Sequence, residues 1–328
     1  MRFLLDDEQR EFARSLDALL TAADTPAVVR GWAEGHPGPG LTLWRRLADA
    51  GVFALAVPEA YGGVGPLPVE TAVALVELGR HGVPGPVVES VAAGVLLGGV
   101  GGPVAKEWLP RVASGTAVVS LVLEGYGPYA LDADVAEAVF TVAGDELRLT
   151  RGPGEPTPSM DPARRLFRPG AGGEVVAPGP KVREAARAAG TWATFATAAQ
   201  VLGCGEALLR ATVAYVKQRT QFGAPVGSFQ AVKHRLADTL LGLEFARPLL
   251  YGAAVELAEG SPGAGAAVAA AKVAAGEAGY AAARTALQLH GAVGYTEELD
   301  LAWWLRRARP LRDAWGTPSA CRARVLEG

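Results

Sequence analysis

The sequence predicts a mainly α-helical protein with a small β-domain set between two helical parts, and three observations carry that expectation. Apolar residues recur at helical spacing from Leu5 to about Ala113, give way after Thr116 to short β-branched or alternating stretches, and return to helical spacing from Lys181 onward. The predicted parts are a helical domain over 1–115, a β-domain over 116–180 and a four-helix bundle over 181–328.

In the first part Phe12, Leu16 and Leu19 share one helical face and Trp44, Leu47 and Ala48 another, while Pro58, Gly62, Gly63, Gly65, Pro66 and Pro68 separate the helices. In the second, Val118–Leu123, Ala138–Val142 and Glu146–Thr150 read as strands bounded by Gly or Asp, and a Pro/Gly-rich passage follows from Gly152 to Pro180. In the third, Val201, Leu208, Thr212 and Tyr215 share a face, as do Leu236, Leu240, Leu243 and Leu250. An Ala-rich helix from Gly263 to Leu289 has the small side chains that let helices approach closely. Gly291 and Gly294 read as its C-cap, and Thr296 with Glu297 and Glu298 as the N-cap and acidic first turn of the next helix.

Composition narrows the function classes. The chain has 328 residues, 50% apolar and 20% charged, which suits a globular fold with a sizeable core. A net charge of −3 provides no basic field for a nucleic-acid backbone. The first ten residues turn acidic too early for a secretory signal, and the longest uncharged apolar run, Ser90 to Ala105, is shorter than a bilayer requires. A cytoplasmic protein with no membrane partner is expected. Cys204 and Cys321 lack metal-ligand spacing and read as buried thiols. The four histidines show no Glu-x-x-His or His-x-x-x-His spacing, so no metal site is expected. Gly98 to Gly102 does not follow a strand, so a nicotinamide-binding turn is not expected either.

The most informative stretch is Arg219-Thr-Gln-Phe-Gly-Ala-Pro-Val-Gly-Ser-Phe-Gln-Ala-Val-Lys-His234, in which a long helical pattern ends on an arginine, turns sharply and starts again. A guanidinium at a helix end can make two charge-assisted bonds to a pyrophosphate. It can equally do no more than offset the helix macrodipole, worth ~0.3–1 kcal/mol. This stretch resembles the signature of the acyl-CoA dehydrogenase flavoproteins. Gln288-Leu-His-Gly-Ala-Val-Gly-Tyr-Thr296 is similar to that family's other flavin-contact segment, and Gly51–Gly65, Glu107–Gly115 and Pro158–Arg165 resemble its first and middle domains.

The resemblance implies an acyl-CoA dehydrogenase-like fold whose middle β-domain is reduced to about sixty residues, a rough count from strand and loop signals. It implies FAD as cofactor and an acyl-CoA or other acyl thioester as substrate. Arg219 and Gln221 would contact phosphate or ribose, Phe222 the adenine side and Gln230 the adenosine region, reaching across a subunit boundary to a partner's flavin. Gln288, Gly291 and Ala292 would meet the adenosine side, with Ala292 standing where relatives have glycine, and Thr317 would meet the flavin. The implied partner is a homologous acyl-CoA dehydrogenase subunit or a second copy of the chain, and an electron-transfer protein is compatible as redox partner.

The catalytic carboxylate is missing. Arg312-Asp-Ala-Trp-Gly-Thr317 is similar to the family's terminal Arg-Asp-Ala…Glu-Gly-Thr motif, yet Trp315 holds the glutamate position, and indole cannot take the α-proton of a thioester. Some relatives place the glutamate roughly seven turns upstream of Arg219, at ~3.6 residues per turn. Ala193 lies there, and no acid occurs between Arg187 and Gly205. Asp313 and Glu206 are nearby substitutes, but helical geometry turns both side chains away from the expected spot. Three readings follow: a subunit lacking the base in a hetero-oligomeric dehydrogenase, a homo-oligomeric flavoenzyme with an atypical base or reaction, and a flavin-free scaffold subunit.

Overall fold

The computed structural model describes residues 4–170 and 172–327. Six helices come first: α1 (Asp7–Thr21), α2 (Thr25–Ala33), α3 (Gly38–Asp49), α4 (Pro68–Arg80), α5 (Val87–Val100) and α6 (Gly102–Ala113). Strands β1 (Val119–Leu123), β2 (Ala130–Leu131), β3 (Ala138–Ala143), β4 (Glu146–Thr150), β5 (Glu155–Thr157), β6 (Leu166–Arg168) and β7 (Glu174–Pro178) follow. The chain then forms α7 (Pro180–Gln218), a short hairpin of β8 (Thr220–Gln221) and β9 (Ala224–Pro225), α8 (Gln230–Ala258), α9 (Ala264–His290), α10 (Leu301–Asp313) and α11 (Pro318–Glu327).

The mainly α architecture with a small sheet region is as expected. Asp6 opens α1 through a capping box with Gln9, accepting from its backbone N–H while the Gln9 side chain accepts from Asp6. The expected strands over 118–123, 138–142 and 146–150 appear as β1, β3 and β4, which pair with β7 in the order β1-β3-β4-β7, β1 parallel to β3 and the others antiparallel. The smaller sheet β2-β6-β5 lies outside the strands read from sequence, because strands of two or three residues carry too little alternation to be seen there.

The middle of α7 is the spine of the core. Its small residues let backbones meet: a Cβ on Gly203 would sit 1.9 Å from the Val76 carbonyl oxygen of α4, and one on Gly79 would sit 2.1 Å from the Gln200 carbonyl oxygen of α7. Helices α7, α8, α9 and α10 form the carboxy-terminal bundle, with α11 packed on α9. Leu243 and Leu250 face its interior as expected; Leu240, assigned to the same face, is instead exposed, because the wide apolar surface of α8 continues around the helix. Helix α10 begins at Leu301 rather than beside Thr296, whose hydroxyl donates to the Val293 carbonyl at 2.9 Å and closes a local turn instead of capping a helix.

Buried ion pairs tie the sheets to both helical parts. Asp161 and Arg307 meet at 2.7 Å, with the guanidinium also donating to the Val83 carbonyl at 3.0 Å. Asp132 accepts from the Trp32 indole at 3.0 Å and from Arg165 at 3.2 Å. Cys204 and Cys321 are buried free thiols. Among the described residues, no helix is long and apolar enough to cross a membrane.

Candidate functional site

Residues singled out from sequence fall in two regions of this chain. One is the tip where α7 and α9 end. Arg219 is the C-cap of α7, exposed, and its guanidinium donates to the hydroxyl of Tyr215 one turn back while lying 5.7 Å from that ring's centroid. Tyr215 in turn stacks on His290, the last residue of α9, at 4.1 Å between centroids and 21° between planes. This stack brings the Gln288–Ala292 segment to the Arg219 end, a juxtaposition the sequence could suggest only through the resemblance. Burial, reinforced by the Arg219 charge, holds the His290 imidazole below its ordinary pKa. Its Nδ1 lies 2.8 Å from the Ala286 carbonyl oxygen, fit to donate to it.

Two consecutive residues with positive φ, Phe222 at 54° and Gly223 at 75°, make the turn between β8 and β9, as a tight two-residue hairpin requires. A phenylalanine in left-handed backbone is strained, and this one is also 95% exposed, its ring edge-on to that of Phe229 with centroids 6.4 Å apart. Gln221 and Gln230 are exposed beside it; the first donates to the Thr220 carbonyl at 2.9 Å and the second lies 2.9 Å from His234 Nε2. Gln288 and Ala292 are exposed on the α9 side. Gly291, with φ 65°, caps α9 with open space where a Cβ would stand, so backbone conformation rather than crowding asks for glycine there. Among the described residues Arg219 has no carboxylate within ion-pair distance.

The second region surrounds Trp315, with Thr317 close by in sequence but exposed at the start of α11. Trp315 has φ 54° and is buried; the Thr194 hydroxyl lies 2.7 Å from its carbonyl oxygen and its ring packs 5.3 Å from Tyr126. The indole N–H donates to Oε1 of Glu89 on α5 at 3.0 Å. Glu89 is buried, its Oε2 has no partner, and it lines a cavity of about 230 Å³ with Leu121, Leu131, Tyr129, Ser159 and Arg164. Burial pushes the Glu89 carboxyl above the ordinary range, against the opposing pull of Arg164 and the indole. A second cavity of about 420 Å³, lined by Arg183, Arg187 and Arg324, shares Leu123 and Tyr126 with the first.

The two acids weighed as substitutes for the missing base are elsewhere. Glu206 is held by Arg80 at 2.5 Å and Arg247 at 2.9 Å between α4, α7 and α8, and Asp313 is half-exposed at the end of α10. Glu89 was not foreseen, although the sequence carries a signal for it: a lone acid, Val87-Val-Glu-Ser90, at the mouth of the longest uncharged run.

Comparison with known proteins bears on the chain as a whole. The family model for the acyl-CoA dehydrogenase N-terminal domain matches residues 6–116, and that for the acyl-CoA dehydrogenase C-terminal domain matches residues 184–327. The chain is 36% identical to acyl-CoA dehydrogenase IpdE2 of Mycobacterium tuberculosis over 305 residues, 92% of this chain and 91% of that one. It superposes on the ChsE4–ChsE5 complex of the same organism with a TM-score of 0.85 and 27% identity, covering 100% of this chain and 98% of that chain. Butyryl-CoA dehydrogenase of Megasphaera elsdenii shares the fold at a TM-score of 0.86 and 22% identity, covering 100% and 99%.

Proposed function

Because the chain belongs to the acyl-CoA dehydrogenase family, we propose that it acts in FAD-dependent α,β-dehydrogenation of an acyl thioester as the subunit of a hetero-oligomer that lacks the catalytic base. The observation that carries this reading is Trp315: the position that by motif resemblance would hold the family's glutamate is a buried indole, pinned at its N–H by Glu89 and at its carbonyl by Thr194. An indole cannot accept a Cα proton, so on this reading the base comes from another chain.

This chain's share is then the cofactor grip. FAD fits the tip on physical grounds, since a guanidinium without a carboxylate partner, three exposed amides (Gln221, Gln230, Gln288) and an exposed strained aromatic provide the donors and stacking surface that a dinucleotide needs. Arg219 would hold the pyrophosphate, Gln221 the ribose or phosphate, Phe222 the adenine side, and Gln230, Gln288, Gly291 and Ala292 the adenosine region; Thr317 would belong to the flavin end of a site. Bound FAD supplies the acceptor for the hydride that leaves Cβ. A homologous subunit is supported by the match to a complex of two named chains and by the exposed apolar stripe of Leu241, Phe245 and Leu249 along α8, a surface that a packed neighbour would cover.

The test is the visible flavin absorbance of the chain purified alone, compared with the chain co-expressed with a homologous subunit. Flavin only in the mixture is the expected result. Flavin at one equivalent in the chain alone overturns it, and no flavin in either sample leaves the scaffold reading.

One observation favours the homo-oligomeric reading as the second choice. Glu89 is a buried carboxyl facing a largely apolar cavity that adjoins a cationic one lined by Arg183, Arg187 and Arg324, the pairing of surfaces that an acyl group and a phosphate-bearing carrier require. On that reading Glu89 takes the Cα proton, and Glu89→Gln abolishes turnover of flavin-loaded protein while leaving flavin bound.

A further inference from the structure

Away from both regions, one group of three metal-ligand side chains comes together among the described residues. Asp17 on α1, Glu77 on α4 and His81 just past its end place their ligand atoms within 4.8 Å of one another. Glu77 and His81 are four residues apart and so share a face of α4, while α1 packs against α4 and supplies Asp17 from outside. The His81 ring nitrogen Nε2 lies 2.8 Å from Asp17 Oδ1.

A histidine–aspartate hydrogen bond explains two of the three residues but not Glu77. That side chain is 5% exposed, its Oε1 is bound by Arg80, and its Oε2 is buried without a partner. A buried carboxylate oxygen left unmatched beside a second carboxylate is costly unless a cation stands between them. Charge counting agrees. Arg80 and Arg247 are the cations of this network, while Asp17, Glu77, Glu206 and Glu244 are its anions, an excess of two negative charges when His81 is neutral.

We propose that Asp17, Glu77 and His81 form a binding site for a divalent transition ion of the zinc class. One imidazole nitrogen and two carboxylate oxygens are a donor set that zinc accepts, and the imidazole disfavours magnesium and calcium, which prefer all-oxygen shells. The Asp17 side chain is 48% exposed, giving the ion a path from solvent and room for water to complete its shell. Ligands of a tetrahedral zinc stand ~3.3 Å apart for bonds of about 2.05 Å, so the Asp17–His81 pair at 2.8 Å opens slightly, while any pair standing as far as 4.8 Å apart closes toward the same spacing through rotation of the half-exposed aspartate. The spacing Glu-x-x-x-His along α4 with the third ligand on another helix is why none of the expected zinc patterns picks it out. The bound ion would clamp α1 to α4 and owes nothing to the flavin reading.

The test is equilibrium dialysis of the full-length protein, freed of metal by a chelator, against Zn²⁺, with metal content and thermal midpoint as readouts. The wild type is expected to bind one Zn²⁺ per chain saturably and to melt at a higher temperature with it. Asp17→Asn and His81→Gln are each expected to weaken binding at least about tenfold and to abolish the thermal shift. The exposed His36→Gln, beside Glu34, is expected to change neither. Absence of saturable binding in the wild type, or binding that survives both substitutions, overturns the proposal. Asp17→Asn alters a half-exposed side chain, so its result stands even if His81→Gln folds poorly.

Discussion

The indole N–H of Trp315 and Oε1 of Glu89 meet at 3.0 Å inside the core, joining the loop after α10 to helix α5 across 226 residues of sequence. The pair sits on the wall of a cavity, and each member occupies a place where its chemistry is unexpected. Trp315→Phe removes the one side-chain donor found for this buried carboxyl among the described residues, with an expected loss of ~1–3 kcal/mol. Urea unfolding of Trp315→Phe, Glu89→Leu and the double variant measures it: the double variant should be less destabilised than the sum of the two singles. Additive losses would mean that the hydrogen bond contributes nothing.

Trp315→Glu puts a second carboxyl beside Glu89. Like charges at that distance cannot both ionise in a buried site, so one acid is expected to remain protonated at neutral pH. If the acyl pocket is otherwise intact, a flavin-containing preparation of this variant gains weak dehydrogenase activity with an artificial electron acceptor; inactivity despite bound flavin would show that the pocket itself is lost.

Arg219→Ala should weaken FAD retention in the co-expressed complex by one or two charge-assisted bonds, each ~1.5–3 kcal/mol. Its exposure predicts little effect on folding, because among the described residues the guanidinium's hydrogen bond and ring contact are both to Tyr215. Flavin release on dilution, followed by fluorescence, separates the two quantities. Unaltered retention would leave Arg219 as a helix-end cation with no ligand.

Phe222→Gly separates stability from binding. Relief of left-handed strain at φ 54° is expected to stabilise the hairpin by ~1 kcal/mol, partly offset by glycine's freedom in the unfolded chain. Flavin affinity should fall in the same protein. A variant that binds FAD as well as the wild type would remove the aromatic ring from the cofactor grip.

Burial raises the Asp132 carboxyl from 3.8 to about 6, against the Trp32 and Arg165 contacts that pull it down. The folded state thus binds this proton more tightly than the unfolded chain, so its contribution is fully present below pH 4 and is lost as pH rises through about 6. The expected size is on the order of 2–3 kcal/mol. Urea midpoints between pH 4 and 7 should therefore fall more steeply for the wild type than for Asp132→Asn, and parallel curves would show that the group titrates alike in both states.

The parts of the fold legible in sequence were those with local causes. The end of α7 at Arg219 shows because an amphipathic run stops at a tight turn rich in Gly and Pro, and β1, β3 and β4 show because five or six residues suffice for alternation. Strands β2, β5 and β6 are only two or three residues long, and β2 pairs with β6 across more than thirty residues, so they leave no local trace. Glu89 stayed hidden because its role comes from a partner on the far side of the chain. The same holds for Asp17, which acquires meaning only when α1 lies on α4. Thr296 misled because its sequence context suits a cap while its backbone forms an earlier turn.

The length of α7 has one more consequence. Thr194, which holds the Trp315 carbonyl, and Arg219, which crowns the helix, are 25 positions apart on the same rod, an axial separation of about 38 Å at ~1.5 Å per residue. A single copy is thus too stiff to fold its crown back onto its own cavity. On the proposed reading, a dinucleotide gripped by Arg219 would lie against a neighbouring subunit, and the redox centre would then be a property of the assembly rather than of one chain.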